Sequence, residues 1–258
     1  TDLPEDPLSS IGSTAPATTG QQHLTDIDYD PASGLIVSSG LPGLSVMRAT
    51  EGAPEDLGSN KKAKDHVEFL NPNLVAVSSL GKSGKNGIGL KGAGIGFFDI
   101  SNPQSPKTVS IDGSGTYLAR TGASGMEYRE PYLYVTTHEG TFVTVDATTP
   151  SEATIVHEAE GLGSPWQVAI HGDWAYVADN SKGVVPVDLS DPAAPVVGSA
   201  ISLGGGVQDV DVSDDGVLYA AAGSAGLFAL SLAEPSSPAI IAEASTGGAA
   251  ISVSASKG

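Results

Sequence analysis

Short apolar segments separated by glycine-containing turns recur along the chain. One example is Leu133–Thr137, which is followed by a turn at His138–Gly140 and by a second apolar segment at Phe142–Asp146. The same succession begins at Trp174–Ala178 and at Val217–Ala221. Segments of this length, without the 3.6-residue period of an amphipathic helix, are typical of β-strands. The pattern therefore predicts an all-β fold.

The segments repeat at a nearly constant interval. Five of them align with starts that are 52, 46, 42 and 43 residues apart, at Leu44–Arg48, Gly96–Ile100, Phe142–Asp146, Val184–Asp188 and Leu227–Ser231. The last full unit contains four predicted strands, at Val207–Val212, Val217–Ala221, Leu227–Leu232 and Ala239–Ala244. A repeated unit of four short strands and about 40–45 residues is typical of a β-propeller blade. We predict a β-propeller of four-stranded antiparallel blades, with five full blades and the innermost strand of a sixth.

The repeat also predicts how the chain is divided. Residues 1–22 are rich in Ser, Thr, Pro, Ala and Gly, which is typical of a linker or tether, and residues 23–258 form the propeller. The expected blades are 23–64, 65–121, 122–164, 165–205 and 206–249, with a partial blade at 250–258. A partial blade leaves an open sheet face. We expect a longer chain to complete it, with a partner chain or the N-terminal segment as alternatives.

One unit carries a family resemblance. The run from Trp174 to Pro192, WAYVADNSKGVVPVDLSDP, resembles the LVIVD-repeat β-propellers, whose units run roughly as YAYVAD, then GL.V.DVSDP..P. The resemblance implies a bacterial protein that is exported or attached to the cell surface, often as one module of a larger chain. It implies no catalytic residues, because the family shares no catalytic motif. The long second unit and the partial sixth unit depart from the family pattern.

Composition narrows the functional classes. The 258 residues include 30 acidic and 12 basic side chains, a formal net charge of −18, and no cysteine. This charge argues against nucleic acid or an anionic membrane as the main partner, because phosphates would be repelled. The lack of cysteine excludes disulfides, thiolate metal sites and cysteine catalysis. The uncharged stretch Gly216–Ala233 contains the turn Gly223–Gly226, so we expect a hairpin there and no membrane insertion.

The innermost strands of the blades place a polar register around the propeller axis. Six carboxylates occupy it, from Asp26, Asp28, Glu68, Glu127, Asp209 and Asp211, with His66 beside them. Such a ring offers the oxygen ligands that Ca²⁺ prefers, so one hypothesis is a cation site in the channel. The other, which we favour, is a water-filled channel in which each acid accepts hydrogen bonds from backbone N–H groups of a neighbouring blade.

Half of the basic residues are predicted to lie on one face of the propeller. This top face is formed by the turns between the second and third strands of each blade and by the links between blades. The candidate binding residues there are Lys61, Lys62, Lys64, Lys82, Lys85 and Lys91, with Arg120 and Trp166 nearby. A basic cluster on an acidic protein favours a carboxylated or sulfated glycan or an acidic protein surface. The alternative is a solvated loop.

Two functions follow from these features. The first is a non-catalytic exported binding or scaffold module that recognises a protein or polysaccharide at the cell surface through the top face. The second is a divalent-metal-dependent propeller enzyme of the lactonase or polysaccharide lyase type. In that enzyme a channel ion, Ca²⁺ for example, would polarise the substrate, and His66 or Glu68 would act as acid or base.

Overall fold

The computed structural model of the chain describes residues 24–40, 43–61, 65–82, 91–111, 117–118 and 122–255. These ranges contain 21 strands and a single 3₁₀ turn, at Pro150–Glu152. The strands form five antiparallel sheets, each with four consecutive strands hydrogen-bonded in chain order. The sheets are arranged like the blades of a propeller, which confirms the predicted all-β fold class.

The strands of the first two blades are as follows. Blade 1 consists of β1 (Leu24–Asp30), β2 (Leu35–Gly40), β3 (Leu44–Arg48) and β4 (Glu55–Asn60). Blade 2 consists of β5 (Val67–Asn71), β6 (Leu74–Lys82), β7 (Lys91–Asp99) and β8 (Lys107–Thr108), with β9 (Tyr117–Leu118) also paired to β7.

The strands of the remaining three blades are as follows. Blade 3 consists of β10 (Ala123–Arg129), β11 (Tyr132–Thr137), β12 (Thr141–Asp146) and β13 (Thr154–Glu160). Blade 4 consists of β14 (Pro165–His171), β15 (Trp174–Asp179), β16 (Gly183–Asp188) and β17 (Val196–Val197). Blade 5 consists of β18 (Asp209–Val212), β19 (Val217–Ala221), β20 (Leu227–Ser231) and β21 (Ala239–Ala244).

The core lies between successive blades. Four clusters of buried apolar side chains join blades 1 and 2, 2 and 3, 3 and 4, and 4 and 5. The middle strands of blades 2, 3 and 4 therefore lie between two such clusters and are covered on both faces. This explains why strands such as β11 and β15 carry successive apolar residues, since a sheet covered on both faces leaves no solvent-facing register.

Two departures from regular blades affect the functional surfaces. The hairpin of β6 and β7 is nine residues long on each side, and its ladder runs as far as the pair Lys82 and Lys91. Residues 250–255 follow blade 5 and are joined to it by a bridge between Gly223 and Ala250. They lie at the position predicted for the innermost strand of a sixth blade.

Candidate functional site

The innermost strands surround a cavity of about 270 Å³, which we call the channel. All six predicted carboxylates line it, from Asp26, Asp28, Glu68, Glu127, Asp209 and Asp211. We refer to these six groups as the channel carboxylates. The two-residue period of the innermost strands is sufficient to bring them together, because one register of each strand projects toward the following blade.

The carboxylates of blade 1 connect two blades. Asp26 Oδ1 accepts from the backbone N–H of Ile27 at 2.9 Å, and its Oδ2 accepts from that of Val67 in blade 2 at 3.0 Å. Asp28 makes the equivalent bonds, to the N–H groups of Tyr29 at 2.7 Å and Phe69 at 2.8 Å. Each aspartate therefore satisfies one backbone donor in its own strand and one in the next blade.

The aspartates of blade 5 repeat this arrangement. Asp209 Oδ2 accepts from the N–H of Val253 at 2.9 Å and from Ser252 Oγ at 2.7 Å. Asp211 Oδ2 accepts from the N–H of Ala255 at 2.8 Å. These bonds hold residues 252–255 against blade 5 as the blade 1 aspartates hold β5 against blade 1.

Glu68 has a strongly perturbed environment in the channel. Its Oε1 accepts from the N–H of Tyr128 in blade 3 at 3.2 Å. Withdrawal from water raises its pKa well above the usual value, and the negative charges of Glu127, Asp28 and Asp26 raise the pKa further. Burial also raises the pKa of Asp209, against the lowering effect of its hydrogen bonds from Val253, Ser252 and Val210. The channel therefore disfavours the ionised forms of these two carboxyl groups.

The polar register changes between blades 3 and 5. Gly125 and Gln167 take the place of the first aspartate in blades 3 and 4, and Ala169 takes the place of the second aspartate in blade 4. A Cβ atom on Gly125 would lie 2.3 Å from the Trp166 carbonyl oxygen, so the innermost strands of blades 3 and 4 approach too closely for any side chain there. The carboxylates are concentrated on the other side of the channel.

Within the described ranges, no three His, Asp or Glu side chains are grouped closely enough to hold a metal ion, so no preformed metal site is found there. His66 Nδ1 lies 3.4 Å from Asp26 Oδ2 and has no hydrogen-bond partner. The predicted alternative, in which the acids accept backbone N–H groups of the neighbouring blade, describes the observed contacts of Asp26, Asp28, Glu68, Asp209 and Asp211. The calcium site stays a prediction.

The predicted basic residues are only partly within the described structure. Lys61 is exposed and follows the outermost strand of blade 1. The backbones of Lys82 and Lys91 pair directly at the end of the long hairpin. The remaining predicted basic residues, Lys62, Lys64, Lys85 and Arg120, lie outside the described residues.

Trp166 lies at the top end of the innermost strand of blade 4. The register of β14 shifts between Pro165 and Val168, and the indole is 45% exposed. A bulge of this kind turns a side chain out of the regular strand direction. The exposed ring is available as a flat surface at the start of this strand.

One structurally important acid was missed by the sequence analysis. Asp179, at the end of β15, is fully buried and accepts from the N–H groups of Gly163, Ser164, Ser181 and Lys182 at 2.6–3.0 Å and from Ser181 Oγ at 2.8 Å. It joins the link before blade 4 to the turn after β15. The available signal was an aspartate at a strand end directly before the turn Asn180–Gly183.

Comparison with known families agrees with the repeat. The family model named LVIVD repeat matches residues 162–200, which include all four strands of blade 4. This match confirms the resemblance to LVIVD-repeat proteins that the sequence of this unit suggested. A comparison with curated protein sequences finds no match.

Several solved structures share the fold. A functionally unknown protein from Desulfotomaculum acetoxidans DSM 771 superposes with a TM-score of 0.72 at 11% identity, over 89% of this chain and 72% of its own. The computationally designed Ika8 protein gives 0.61 at 10% identity, over 90% of this chain, and the chain spans 65% of that protein, slightly under two thirds. A chain of a nidogen/laminin complex gives 0.58 at 11%, over 84% and 78%. These similarities concern the fold alone.

No helix within the described residues is long and apolar enough to cross a membrane.

Proposed function

We propose that this protein is a non-catalytic, exported binding module that recognises a carboxylated or sulfated polysaccharide, or an acidic surface of a partner protein, through its top face. The site that we assign to this function has two parts. One is the long hairpin of β6 and β7 in blade 2, and the other is the exposed Lys61, which follows the outermost strand of blade 1. Trp166 offers a flat surface on which a sugar ring can stack, which favours the polysaccharide.

The observation that carries this proposal is the direct pairing of Lys82 with Lys91. Like charges placed opposite each other in an antiparallel ladder are destabilising. The hairpin is longer than the corresponding hairpins of the other blades, and its ladder ends on this pair of cationic residues in a protein whose net charge is −18. A bound anion would offset the unfavourable placement of two cationic residues opposite each other.

The channel contacts support a non-catalytic role. A general acid or base must have an atom available to the substrate. Here Asp26, Asp28, Asp209 and Asp211 each use both carboxylate oxygens as acceptors for backbone or hydroxyl donors. These four carboxylates therefore have a structural role in joining neighbouring blades.

The test is binding of heparin and of polygalacturonate, one sulfated and one carboxylated, by isothermal titration. The variant is Lys82→Gln with Lys91→Gln, and the control is Lys107→Gln, an exposed lysine at the start of β8 in the same blade. We expect the double variant to bind at least one of the two polymers about tenfold more weakly, because two charge-assisted contacts are lost. Equal binding by the double variant and the control would contradict the site.

One observation favours the metal-dependent enzyme as a second candidate. Glu68 has a pKa raised by withdrawal from water and by neighbouring carboxylates, and perturbed acids of this kind are frequent at active sites. A divalent ion beside Glu68 and Glu127 would relieve their mutual repulsion. This candidate depends on a measurable affinity of the channel for a divalent cation.

A further inference from the structure

Neighbouring blades are in close contact at the outer rim of the molecule at two junctions. Between blades 1 and 2, a Cβ atom on Gly58 of β4 would lie 2.5 Å from the carbonyl oxygen of Pro103, in the turn before β8. Between blades 3 and 4, Ala159 of β13 and Val197 of β17 pack against the same buried apolar cluster. At both junctions the outermost strand of one blade is therefore covered by the next blade.

The junction between blades 4 and 5 is open at the same place. Gly198 is equivalent to Gly58, because Gly198 bonds to Pro186 and Gly58 pairs with Val46, and these two partners are aligned in the third strands. The three atoms nearest to a Cβ on Gly198 all belong to Pro186 of its own blade, at 2.9–3.8 Å. Blade 5 therefore stays at least 3.8 Å from this position, whereas blade 2 comes within 2.5 Å of its equivalent.

Two exposed apolar side chains face this opening from opposite sides. Val197 packs toward blade 3, so the preceding residue, Val196, projects from the other face of β17 toward blade 5. Ile240 is opposite Leu230, a member of the cluster between blades 4 and 5, so it projects toward blade 4. Val196 is 64% exposed and Ile240 is 48% exposed, although each faces an existing blade. We call the opening between these two side chains the rim groove.

Acidic side chains border the rim groove on both sides. Asp188 is opposite Val196 in the ladder and lies on the same face of blade 4. Glu243 is opposite Phe228, another member of the cluster between blades 4 and 5, and so lies on the same face of blade 5 as Ile240. The groove therefore combines apolar walls with a carboxylate on each side.

The charge around the groove favours a basic occupant. Blades 4 and 5, residues 165–244, have ten acidic side chains and one lysine, Lys182, whose Nζ donates to the carbonyl of Gly161 at 2.6 Å. A second copy of this chain would bring the same excess of acids to the acidic borders. In an extended segment alternate side chains point to opposite sides, so one row can enter the groove while the other reaches its borders.

We propose that the rim groove binds an extended segment of a partner protein in which apolar residues alternate with lysine or arginine. The apolar side chains contact Val196 and Ile240, and the cationic side chains lie beside Asp188 and Glu243. This site is separate from the proposed binding surface on the top face, and neither depends on the other.

Fluorescence anisotropy with two labelled octapeptides, one of alternating Lys and Val and one of alternating Lys and Ser, tests the proposal. The peptides have the same charge and differ in apolar side chains. We expect the wild-type protein to bind the Lys-Val peptide about tenfold more tightly, because apolar surface is buried in the groove. This preference should disappear in Val196→Ser with Ile240→Ser. The matched control, Val156→Ser, changes an exposed valine on the outermost strand of blade 3 and should retain it.

A second pair of variants tests the acidic border. Glu243→Gln should weaken binding of the Lys-Val peptide by about threefold, because one exposed charge contact is lost. Glu160→Gln makes the same change of charge on the outermost strand of blade 3 and should leave binding unchanged. Equal weakening by the two variants would show that only the net charge of the protein attracts the peptide.

The remaining outcomes also decide the matter. Equal affinity of the wild-type protein for both peptides, or an equal loss in Val156→Ser, would overturn the proposal. Sedimentation velocity of the free protein that shows dimers, lost in Val196→Ser with Ile240→Ser, would mean that a second copy occupies the groove. The substituted side chains are exposed, so we expect unchanged unfolding midpoints. If the double variant is unstable, the two peptides with the wild-type protein and with Glu243→Gln still give the answer.

Discussion

At the scale of single residues, Asp179 shows how one buried carboxylate can organise two loops. Its burial acts to raise its pKa, but the hydrogen bonds donated by Ser164, Gly163 and Ser181 outweigh this effect, and the pKa is lowered overall. A lowered pKa means that the folded state favours the charged form. The ionised carboxylate is therefore a stabilising element of blade 4.

Asp179→Ala should destabilise the protein by about 3 kcal/mol at pH 7, because several backbone N–H donors lose their acceptor. The pKa of this group is lower in the folded state, so its contribution is complete above the unfolded-state pKa and is lost as the pH falls through the folded-state pKa. The difference between wild type and variant should shrink below about pH 4. Urea unfolding at pH 7 and pH 3 measures both effects.

Asp188→Asn is the matched control for this prediction. Asp188 ends the next strand of the same blade and accepts one local N–H bond, from Ser190 at 2.8 Å. Its replacement should cost less than about 1 kcal/mol. An equal loss of stability in the two variants would refute the special role of Asp179.

At the scale of the elements, the innermost strands are held together by side chains as well as by packing. Their inner edges face the channel, and backbone N–H groups there donate to channel carboxylates rather than to a further strand, at Val67, Phe69, Tyr128, Val253 and Ala255. The negative charges of these acceptors also lie close together in one cavity. Burial and the neighbouring carboxylates raise the pKa of Glu68 well above its usual value, so its ionised form is disfavoured.

Glu68→Gln should stabilise the protein at neutral pH and raise the unfolding midpoint by about 3 °C. The pKa of Glu68 is higher in the folded than in the unfolded state, so its favourable contribution is complete below the unfolded-state value and is lost as the pH rises through the folded-state pKa. The amide resembles the protonated acid and can still accept from the N–H of Tyr128. Thermal unfolding at pH 7.5 and pH 4 should show the gain only at the higher pH.

Glu160→Gln provides the comparison, since Glu160 is an exposed glutamate on the outermost strand of blade 3 and the charge change is the same. A similar gain from this variant would mean that relief of the overall net charge, rather than the channel, explains the effect. A loss of stability for Glu68→Gln at pH 7.5 would contradict the assigned electrostatics.

At the scale of the whole molecule, the distribution of charge separates the proposed binding function from the metal-dependent alternative. From Glu130 onward the chain has 16 acidic residues and two lysines, whereas the lysine-bearing hairpin lies in blade 2. Five of the six channel carboxylates accept backbone N–H groups of a neighbouring blade or of residues 253–255. We therefore favour the binding function over the metal-dependent enzyme.

Thermal unfolding of EDTA-treated protein with and without millimolar Ca²⁺, Mg²⁺ or Mn²⁺ should give the same midpoint, because no three His, Asp or Glu side chains in the described ranges are grouped closely enough to hold an ion. A ligand of the native state raises the midpoint by mass action. A rise that is lost in Asp28→Asn with Glu68→Gln would support the metal-dependent enzyme instead.

Much of the fold was predictable because the repeat is local. The interval between Phe142, Val184 and Leu227, and the turns before them, depends on residues that are close together in the chain. The period of two in the innermost strands placed the channel carboxylates on one register. The role of Asp179 was not predictable, since Gly163 and Ser164 come from a link that only the folded chain brings to it.

The all-β architecture, the four-stranded unit and the convergence of six carboxylates could be predicted from the sequence, because strand period and repeat length are properties of local order along the chain. The contacts of those carboxylates could not, since their donors lie about 41 to 60 residues away in the next blade. The exposure of Tyr219 and Ile27 also depends on the tertiary structure, because residues at equivalent positions of other blades, such as Tyr176 and Val210, are buried. Burial depends on which blade lies beside which, and residues at equivalent strand positions differ in burial when that neighbour differs.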